Sequence, residues 1–221
     1  MIQKINKPLS KIKFGLLGFR SHLVEDLLNS KSLTYQYITE DNPIDSTFDL
    51  VFGSGVYNIL PEEIITTPTY GCYFIHESPL PEGRGHAPIQ WTIENSRLNF
   101  TLSLFKVLPG VDDGGIVYQH NVGIDKFDNV NAVEKKRQQG IIECFKVFLE
   151  ELKEGVIVIR KQTGKSSYYK KRSPQDSKLT SITNLTQFWQ ELRMCDNEKY
   201  PAFFELEDRK VFLKYYLDDL K

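Results

Sequence analysis

The sequence predicts an α/β fold in which helices cover both faces of a mostly parallel sheet, followed by a small C-terminal helix and hairpin. From residue 11 to residue 78, short apolar runs typical of strands alternate with segments of helical periodicity, a pattern that favours parallel strands joined by helices. Several of the apolar runs end in glycine or in polar residues. Hydrophobic residues make up 40% of the 221 residues and charged residues 26%, which is ordinary for a globular protein.

The first part of the chain supplies the strands and helices of this unit in order. Apolar runs predict strands at residues 11–18, 33–41, 49–55 and 71–78. Helical spacing predicts a helix at 22–30, and a proline followed by two acids predicts a short one at 60–67. Right-handed crossovers between the strands give a Rossmann-like arrangement, whose reactive crevice lies at the carboxyl ends of the strands.

The middle of the chain completes the core and ends in a long helix. A helix is predicted at 87–95, and two alternating runs at 100–108 and 114–124 predict a strand pair around the turn PGVDDGG. Apolar residues at intervals of three and four predict a helix at 130–155, with glycine as its C-cap. We therefore place the core of the protein at residues 1–155.

Residues 156–221 differ in character and are predicted to form a short C-terminal appendage. The appendage begins with a polar and basic arm at 161–177, which we expect to be irregular. A helix at 185–195 and a hairpin at 202–216, turning near 207–209, are predicted to follow. The aromatic side chains of the hairpin could cover the core or pair two subunits, so a homodimer is one option.

Charge and cysteine content argue against several classes of function. The formal net charge is −1, which favours neither nucleic acid nor an anionic membrane as a partner. The three cysteines are widely spaced and form no CxxC motif, so we expect reduced thiols in a cytoplasmic protein and no metal site. The sequence shows no signal-peptide pattern and no apolar run near the ~20 residues that cross a bilayer.

His76 is the first candidate for chemistry. Histidine exchanges protons near neutral pH, and His76 ends an apolar strand where the crevice is expected to open. The loop that follows is rich in proline and glycine, which fix a particular chain path. A histidine in such a place is more often a satisfied polar residue, and such a loop a plain connector, so both interpretations stay open from the residues alone.

The carboxylate pair Asp112 and Asp113 is the second candidate. A pair flanked by glycines in PGVDDGGIV is usually a turn, but an aspartate there could hold or polarise His76 if the turn folds over the crevice. The stretch 53–55 matches no phosphate-binding loop. His86 lies in the loop after His76 and is a further candidate for lining the pocket.

The order of these features resembles the folate-dependent formyltransferases, a group that includes methionyl-tRNA, glycinamide ribonucleotide and sugar N-formyltransferases. The resemblance covers about residues 11–215. It rests on a strand ending in His-x-Ser-x-Leu-Pro, then Arg-Gly-x-x-Pro-x-x-Trp-x-Ile, a threonine in the next strand, and Asp-x-Gly-x-Ile. The matching residues are His76, Ser78, Leu80, Pro81, Arg84, Gly85, Pro88, Trp91, Ile93, Thr101, Asp112, Gly114 and Ile116.

The resemblance implies transfer of a formyl group from the cosubstrate N10-formyltetrahydrofolate to an amine, without a metal. It implies that His76 and Asp112 manage the protons while the amine attacks the formyl carbon. The family keeps an asparagine two residues before the histidine to hold the developing oxyanion, whereas this chain has Phe74 there, which cannot donate a hydrogen bond. A backbone N–H, a bound water or Asn58 could replace that donor. Alternatively, the enzyme is slower with shifted geometry, or the chain only binds its ligands.

The resemblance also implies two sets of binding residues. The segment GVYNILPEEI resembles the segment that lines the folate pocket in the family. The residues expected to bind folate are Val56, Tyr57, Asn58, Ile59, Leu60, Val111, Asp113 and Gly114. The residues expected to bind the acceptor substrate are Glu77, Ser78, Arg84, His86, Tyr169 and Arg172. The last two could meet a nucleotide by stacking and charge, or they could belong to a solvated arm.

Among these groups, the sugar N-formyltransferases fit the sequence best. The chain ends before the C-terminal domain that helps methionyl-tRNA enzymes grip RNA, and its segment LLGFRSHLVED lacks the glycine-rich phosphate loop of glycinamide ribonucleotide enzymes. The expected acceptor is a nucleotide-linked amino-deoxysugar destined for O-antigen or another glycan, with no nucleic acid or membrane partner. The alternatives are a non-catalytic protein that binds folate or nucleotide sugar, and a formyltransferase for a non-sugar amine.

Overall fold

A six-stranded sheet forms the centre of the computed structural model, which describes residues 1–180 and 183–218. The strands are β1 (Ile2–Lys4), β2 (Lys13–Leu17), β3 (Thr34–Tyr37), β4 (Leu50–Ser54), β5 (Cys72–His76), β6 (Arg84–Gly85), β7 (Asn99–Lys106), β8 (Ile116–Gly123), β9 (Val156–Val158), β10 (Tyr168–Tyr169), β11 (Ala202–Leu206) and β12 (Arg209–Leu213). The helices are α1 (Glu25–Ser30), α2 (Glu62–Ile65), α3 (Pro88–Glu94), α4 (Val130–Lys153) and α5 (Leu185–Leu192). Short 3-10 helices cover Leu9–Lys11, Ser21–Val24 and Pro174–Ser177.

The central sheet is parallel over four strands and antiparallel at one side. Its order is β3-β2-β4-β5-β7-β8. Strands β3, β2, β4 and β5 run parallel, whereas β7 runs antiparallel to β5 and β8 antiparallel to β7. The predicted α/β class with a mostly parallel sheet is confirmed. Because parallel strands end at the same edge, the carboxyl ends of β4 and β5 lie side by side.

The long helix α4 supplies much of the core on one face of this sheet. Its first turn is capped by Asn129, whose side-chain oxygen accepts a hydrogen bond from the Ala132 amide at 3.0 Å. On the buried face, the rings of Phe145 and Phe52 lie 4.6 Å apart between centroids. The chain leaves the helix at Gly155 with a φ of 75°, as the sequence predicts.

No helix within residues 1–180 and 183–218, α4 included, combines the length and the apolarity needed to cross a membrane.

Two regions of strand pairing differ from the sequence prediction. Strand β1 pairs antiparallel with β9, just after α4. Strand β10 lies parallel to β6, inside the segment that we expected to be an irregular arm. That expectation is wrong at β10, because two residues carry no detectable periodicity and their pairing is made by backbone groups.

The C-terminal helix and hairpin form as predicted and pack on the core. The hairpin turns at Glu207, which has a φ of 52°, and α5 with the hairpin encloses a small separate apolar cluster. The buried guanidinium of Arg193 donates hydrogen bonds to the carbonyl oxygens of Asp125, Lys126 and Asp128. These bonds fix α5 to the segment that leads into α4. The division of the chain into a core and an appendage stays a prediction.

The three cysteines lie in the interior as free thiols. Cys72, Cys144 and Cys195 are all buried. Burial raises the pKa of the Cys72 and Cys144 thiols to about 12, because an apolar surrounding disfavours the thiolate. These two side chains therefore act as small apolar core residues.

Candidate active site

His76 is the last residue of β5 and stands where the crevice of the sheet opens. Its side chain is enclosed, with 7% of the residue surface exposed. The Nε2 atom lies 2.8 Å from the Gly83 carbonyl oxygen, and the Nδ1 atom lies 3.5 Å from Oδ2 of Asp112. Since a carbonyl oxygen only accepts, Nε2 is the nitrogen that carries the proton. The Nδ1 atom is then the basic nitrogen, and it faces a carboxylate.

Asp112 reaches His76 because the β7–β8 connection makes a tight turn. Asp112 has a φ of 45°, and its Oδ2 atom accepts a hydrogen bond of 2.8 Å from the Gly85 amide. Gly114 has a φ of 147°, and a side chain at this position would overlap the Lys106 carbonyl oxygen. The structure therefore brings together the histidine and the aspartate that the sequence could not place side by side.

This pair of side chains can accept and hold one proton. A neutral His76 with its proton on Nε2 offers Nδ1 as a base. Once Nδ1 is protonated, the imidazolium faces the Asp112 carboxylate, and opposite charges at this distance in a partly buried place attract strongly. The geometry thus suits a general base that becomes a general acid in a later step.

Hydrogen bonds from neighbouring strands fix the loop after His76. The Ser103 hydroxyl donates to the Ser78 carbonyl oxygen at 2.6 Å, and the side-chain amide of Gln119 donates to the Ser103 hydroxyl oxygen at 2.9 Å. On the outer side of the loop, the Gly83 amide donates to the Ser167 hydroxyl oxygen at 2.9 Å. Bonds on both sides hold the Gly83 carbonyl in place opposite His76.

The predicted acceptor-binding residues of this loop have distinct surroundings. Glu77 faces α4, where its Oε1 atom lies 3.6 Å from a guanidinium nitrogen of Arg137. Ser78 is buried, and its hydroxyl has no hydrogen-bond partner within the described part of the chain. Arg84 donates hydrogen bonds to side chains of Asp113, Gln162 and Tyr168. His86 is exposed.

Tyr169 and Arg172 meet at a single tryptophan of helix α3. The rings of Tyr169 and Trp91 stack with 6.3 Å between centroids, and the Arg172 guanidinium lies 4.9 Å from the Trp91 ring centroid. Arg172 also forms an ion pair with Glu94. Its charge is therefore partly neutralised within the protein.

The residues expected to bind folate flank His76 on two loops. Tyr57, Asn58 and Ile59 are exposed in the loop after β4, and the Tyr57 ring stacks on Phe19 with 5.4 Å between centroids. Val56 and Leu60 at the ends of this loop are partly buried. On the other side of His76, Val111 and Asp113 are exposed, whereas Gly114 is buried.

A half-buried charge cluster beside the site was missed by the sequence interpretation. Arg20 donates two hydrogen bonds to Glu134, at 3.1 and 3.2 Å, and Arg137 pairs with Glu134 and Glu77. Burial lowers the pKa of Arg137 to about 10, while the nearby carboxylate of Glu77 opposes that effect. The sequence does contain a signal for this cluster. Arg137 lies one turn before Ile141 on α4, so it stands on the apolar face of the helix, and Ile141 is fully buried.

Phe74 fills an apolar place below His76, where the family resemblance expects an asparagine. Its ring packs in a cluster with Leu80, Phe105 and Ile116. The same ring lies over Gly53 on the neighbouring strand, so that any side chain at position 53 would overlap it. Phe74 therefore contributes packing, and its side chain offers no hydrogen bond to a developing negative charge.

Comparisons with known proteins agree with this architecture. A family model described as formyl transferase matches residues 32–144. The methionyl-tRNA formyltransferase of Thermotoga maritima is 32% identical over 121 residues, which are 55% of this chain and 39% of that protein. The chain thus spans about two fifths of the length of this curated relative.

Solved structures share the fold at low sequence identity. A sugar N-formyltransferase from Shewanella sp. FDAARGOS_354 is 19% identical with a TM-score of 0.74, covering 95% of this chain and 99% of that chain. HypX from Aquifex aeolicus in complex with tetrahydrofolic acid is 15% identical with a TM-score of 0.76, covering 92% of this chain and 37% of that chain.

Proposed function

Because the chain belongs to the folate-dependent formyl transferase family, we propose that it transfers a formyl group from N10-formyltetrahydrofolate to a primary amine. The observation that carries this proposal is the placement of His76. It is buried at the carboxyl end of β5, with Nε2 on the Gly83 carbonyl and Nδ1 facing Asp112. A histidine whose two nitrogens are assigned in this way suits proton transfer at an attacking amine.

In the proposed reaction, His76 and Asp112 handle the proton of the acceptor. N10-formyltetrahydrofolate supplies the formyl group when it is bound. The Nδ1 atom of His76 takes the proton that the attacking amine releases and later returns it to the nitrogen that leaves. The Asp112 carboxylate, 3.5 Å from Nδ1, stabilises the imidazolium between these two transfers.

The loop after β4 is suited to an aromatic cosubstrate. Tyr57 and Ile59 are 71% and 68% exposed, so both side chains are free to contact an aromatic ligand. They lie on the same edge of the sheet as His76, since β4 and β5 are parallel neighbours. We propose that residues 56–60 hold the folate on one side of His76, and Val111, Asp113 and Gly114 on the other.

For the acceptor, we propose a nucleotide-linked amino-deoxysugar. The net charge of −1 provides no strong attraction for an RNA backbone. Beside the site, the stacked rings of Trp91 and Tyr169 lie next to the Arg172 guanidinium. Aromatic rings and a positive charge together suit the base and the phosphates of a nucleotide. The agreement with a sugar N-formyltransferase over 99% of that chain supports the same acceptor.

Methionyl-tRNA is the second candidate for the acceptor. Curated relatives that match this chain at about a third identity are methionyl-tRNA formyltransferases. The chemistry at His76 would be the same for either acceptor, because both present a primary amine. The acceptor therefore has to be identified by comparing the rates of formylation of different amines.

A panel of amines tests the proposal. The full chain is incubated with N10-formyltetrahydrofolate and, separately, with nucleotide-linked 3-amino and 4-amino deoxysugars, methionyl-tRNA, and an amino acid amide. Mass spectrometry then detects the gain of one formyl group. We expect the fastest reaction with a nucleotide-linked sugar. Faster formylation of methionyl-tRNA would overturn the sugar assignment. Folate binding in a calorimeter without any product would overturn catalysis and favour a non-catalytic binding protein.

A further inference from the structure

We propose that Gln162 and Ser167 are positioning residues that hold the two partners of the His76 imidazole. Both residues follow α4, outside the residues 32–144 that match the family model and outside the core predicted from sequence. Each one contacts a group that in turn contacts one nitrogen of His76. This inference rests on the proposed role of His76 in proton transfer.

Ser167 holds the partner of Nε2. The peptide group between Gly83 and Arg84 contacts both Ser167 and His76. Its N–H, that of Arg84, donates to the Ser167 carbonyl oxygen at 2.9 Å, and its oxygen, that of Gly83, accepts a hydrogen bond from His76 Nε2. Because a peptide group is planar, fixing its N–H also fixes the direction of its C=O. The Ser167 hydroxyl accepts the Gly83 amide at 2.9 Å. Ser167 thus accepts hydrogen bonds from the backbone N–H groups on both sides of the Gly83 carbonyl.

Gln162 holds the partner of Nδ1. Its side-chain amide nitrogen donates to the carbonyl oxygens of Asp112 and Gly114, each at 2.9 Å. Both N–H groups of the amide are therefore used on the turn that carries Asp112. Asp112 has a φ of 45°, a left-handed conformation that residues other than glycine adopt rarely, although aspartate adopts it more often than most. Such a conformation persists only when the surroundings hold it, and Gln162 supplies that hold.

Strand β6 links the two halves of this arrangement. The Gln162 side-chain oxygen accepts a hydrogen bond of 2.6 Å from the Arg84 guanidinium, and the next amide, that of Gly85, donates to Asp112 Oδ2. These hydrogen bonds link the groups that contact the two nitrogens of His76, the Gly83 carbonyl at Nε2 and the Asp112 carboxylate at Nδ1. Loss of one of these bonds should turn the imidazole without removing any group that the resemblance assigns to folate.

Paired substitutions separate positioning from packing. Gln162→Glu keeps an acceptor for Arg84 but removes both donors to the Asp112 turn, whereas Gln162→Leu removes all three bonds. Ser167→Ala removes the acceptor for Gly83, and Ser167→Thr restores a hydroxyl. Ser166→Ala is the matched control, because Ser166 is exposed and its side chain forms no hydrogen bond within residues 1–180 and 183–218.

The expected kinetic result is a fall in kcat. In the Gln162 variants we also expect a rise in KM for the formyl donor, because Gln162 donates to the Gly114 carbonyl of the turn proposed to bind folate; in Ser167→Ala the KM should change little. We expect both Gln162 variants to lose about 10-fold to 100-fold in kcat, since small displacements of a catalytic group have effects of this size. We expect Ser167→Ala to lose about 3-fold to 10-fold, Ser167→Thr to recover most of that loss, and Ser166→Ala to match the wild type. Wild-type kcat in Gln162→Glu and Ser167→Ala would overturn the inference.

Nitrogen NMR of the His76 ring supplies a readout that does not depend on activity. The wild-type ring should populate the Nε2–H tautomer, and the Gln162 and Ser167→Ala variants should shift toward a mixture, with the signal assigned through His76→Gln. An unchanged ring signal in variants that lose activity and keep their unfolding temperature would overturn positioning. If the wild type formylates no amine, the proposed function fails, while the tautomer measurement still decides whether these residues position His76.

Discussion

The His76 corner, which consists of His76, the Gly83 carbonyl and the turn that carries Asp112, lies on the same edge of the sheet as the loop at residues 56–60. The two regions differ in the contacts that hold them in place. His76 is enclosed, and hydrogen bonds fix the groups that contact both of its nitrogens. The loop exposes Tyr57 and Ile59, and the described part of the chain makes no backbone hydrogen bond to it. Its main aromatic contact is the stack of Tyr57 on Phe19.

Under the proposed function, this difference predicts that binding and chemistry depend on different regions. Groups that stabilise developing charge act best when they are already in place before the substrate arrives. A loop with few buried contacts belongs instead to the low-stability part of a structure, which ligands can order. We therefore expect the His76 corner to govern kcat and the 56–60 loop to govern affinity for the formyl donor.

Removal of the histidine should have the largest effect. His76→Ala is expected to lower kcat by about two to four decades, because it removes the group that we propose accepts and returns the proton. Steady-state rates with saturating formyl donor measure the loss. His120→Ala is a matched control, since His120 lies half-exposed on β8. Near wild-type turnover in His76→Ala would show that the corner does not carry the chemistry.

A side chain at Gly114 should disrupt the corner through the backbone. Gly114→Ala would place a methyl group onto the Lys106 carbonyl at a φ of 147°, so we expect a loss of about 2 to 4 kcal/mol in the free energy of unfolding. Gly123→Ala, where a side chain meets nothing within 4 Å, should change it little. Urea denaturation of the two variants compares them. Equal stability would mean that the turn can relax and is not rigid.

Neutralising the aspartate should have an intermediate effect. Asp112→Asn can still accept the Gly85 amide but no longer stabilises an imidazolium, so kcat should fall by about 10-fold to 100-fold with stability nearly unchanged. Asp208→Asn is the control, because Asp208 is exposed in the hairpin turn. Kinetics and thermal unfolding of both variants test this. A large loss of stability with intact kcat would assign Asp112 to the turn alone.

The smallest effect is expected in the loop after β4. Tyr57→Ala should raise KM for the formyl donor by about 3-fold to 10-fold, the scale of one aromatic contact, with kcat nearly unchanged. Tyr57→Phe keeps the stack on Phe19 and should retain most of the affinity. Initial rates at several donor concentrations separate the two constants. A fall in kcat at constant KM would erase the contrast between the loop and the corner.

The sheet, the long helix and the position of His76 can be predicted from the sequence for physical reasons. Buried strands leave apolar runs, and α4 leaves apolar residues at helical spacing. The end of an apolar run marks the place where burial stops, which is why His76 stands out. The proximity of Asp112 to His76 is harder to predict from the sequence, since it depends on a φ of 45° that a turn sequence permits but does not require.

The contacts of the C-terminal segment are beyond sequence reasoning. Gln162 and Ser167 bind backbone groups of distant loops, and backbone groups carry no residue-specific pattern. Tyr168 and Tyr169 pair with β6 over two residues, which is too short for any periodicity. Arg172 was expected at the substrate, and the structure shows in addition its ion pair with Glu94.

The contact between Phe74 and Gly53 couples two positions on neighbouring strands. A larger residue at 53 cannot enter while the ring of Phe74 covers it, and an asparagine at 74 would leave the space above Gly53 unfilled. Substitutions at positions 53 and 74 should therefore be energetically coupled, because residues in contact do not contribute to stability independently. An attempt to install an amide donor at position 74 therefore has to consider the residue at position 53 together with it.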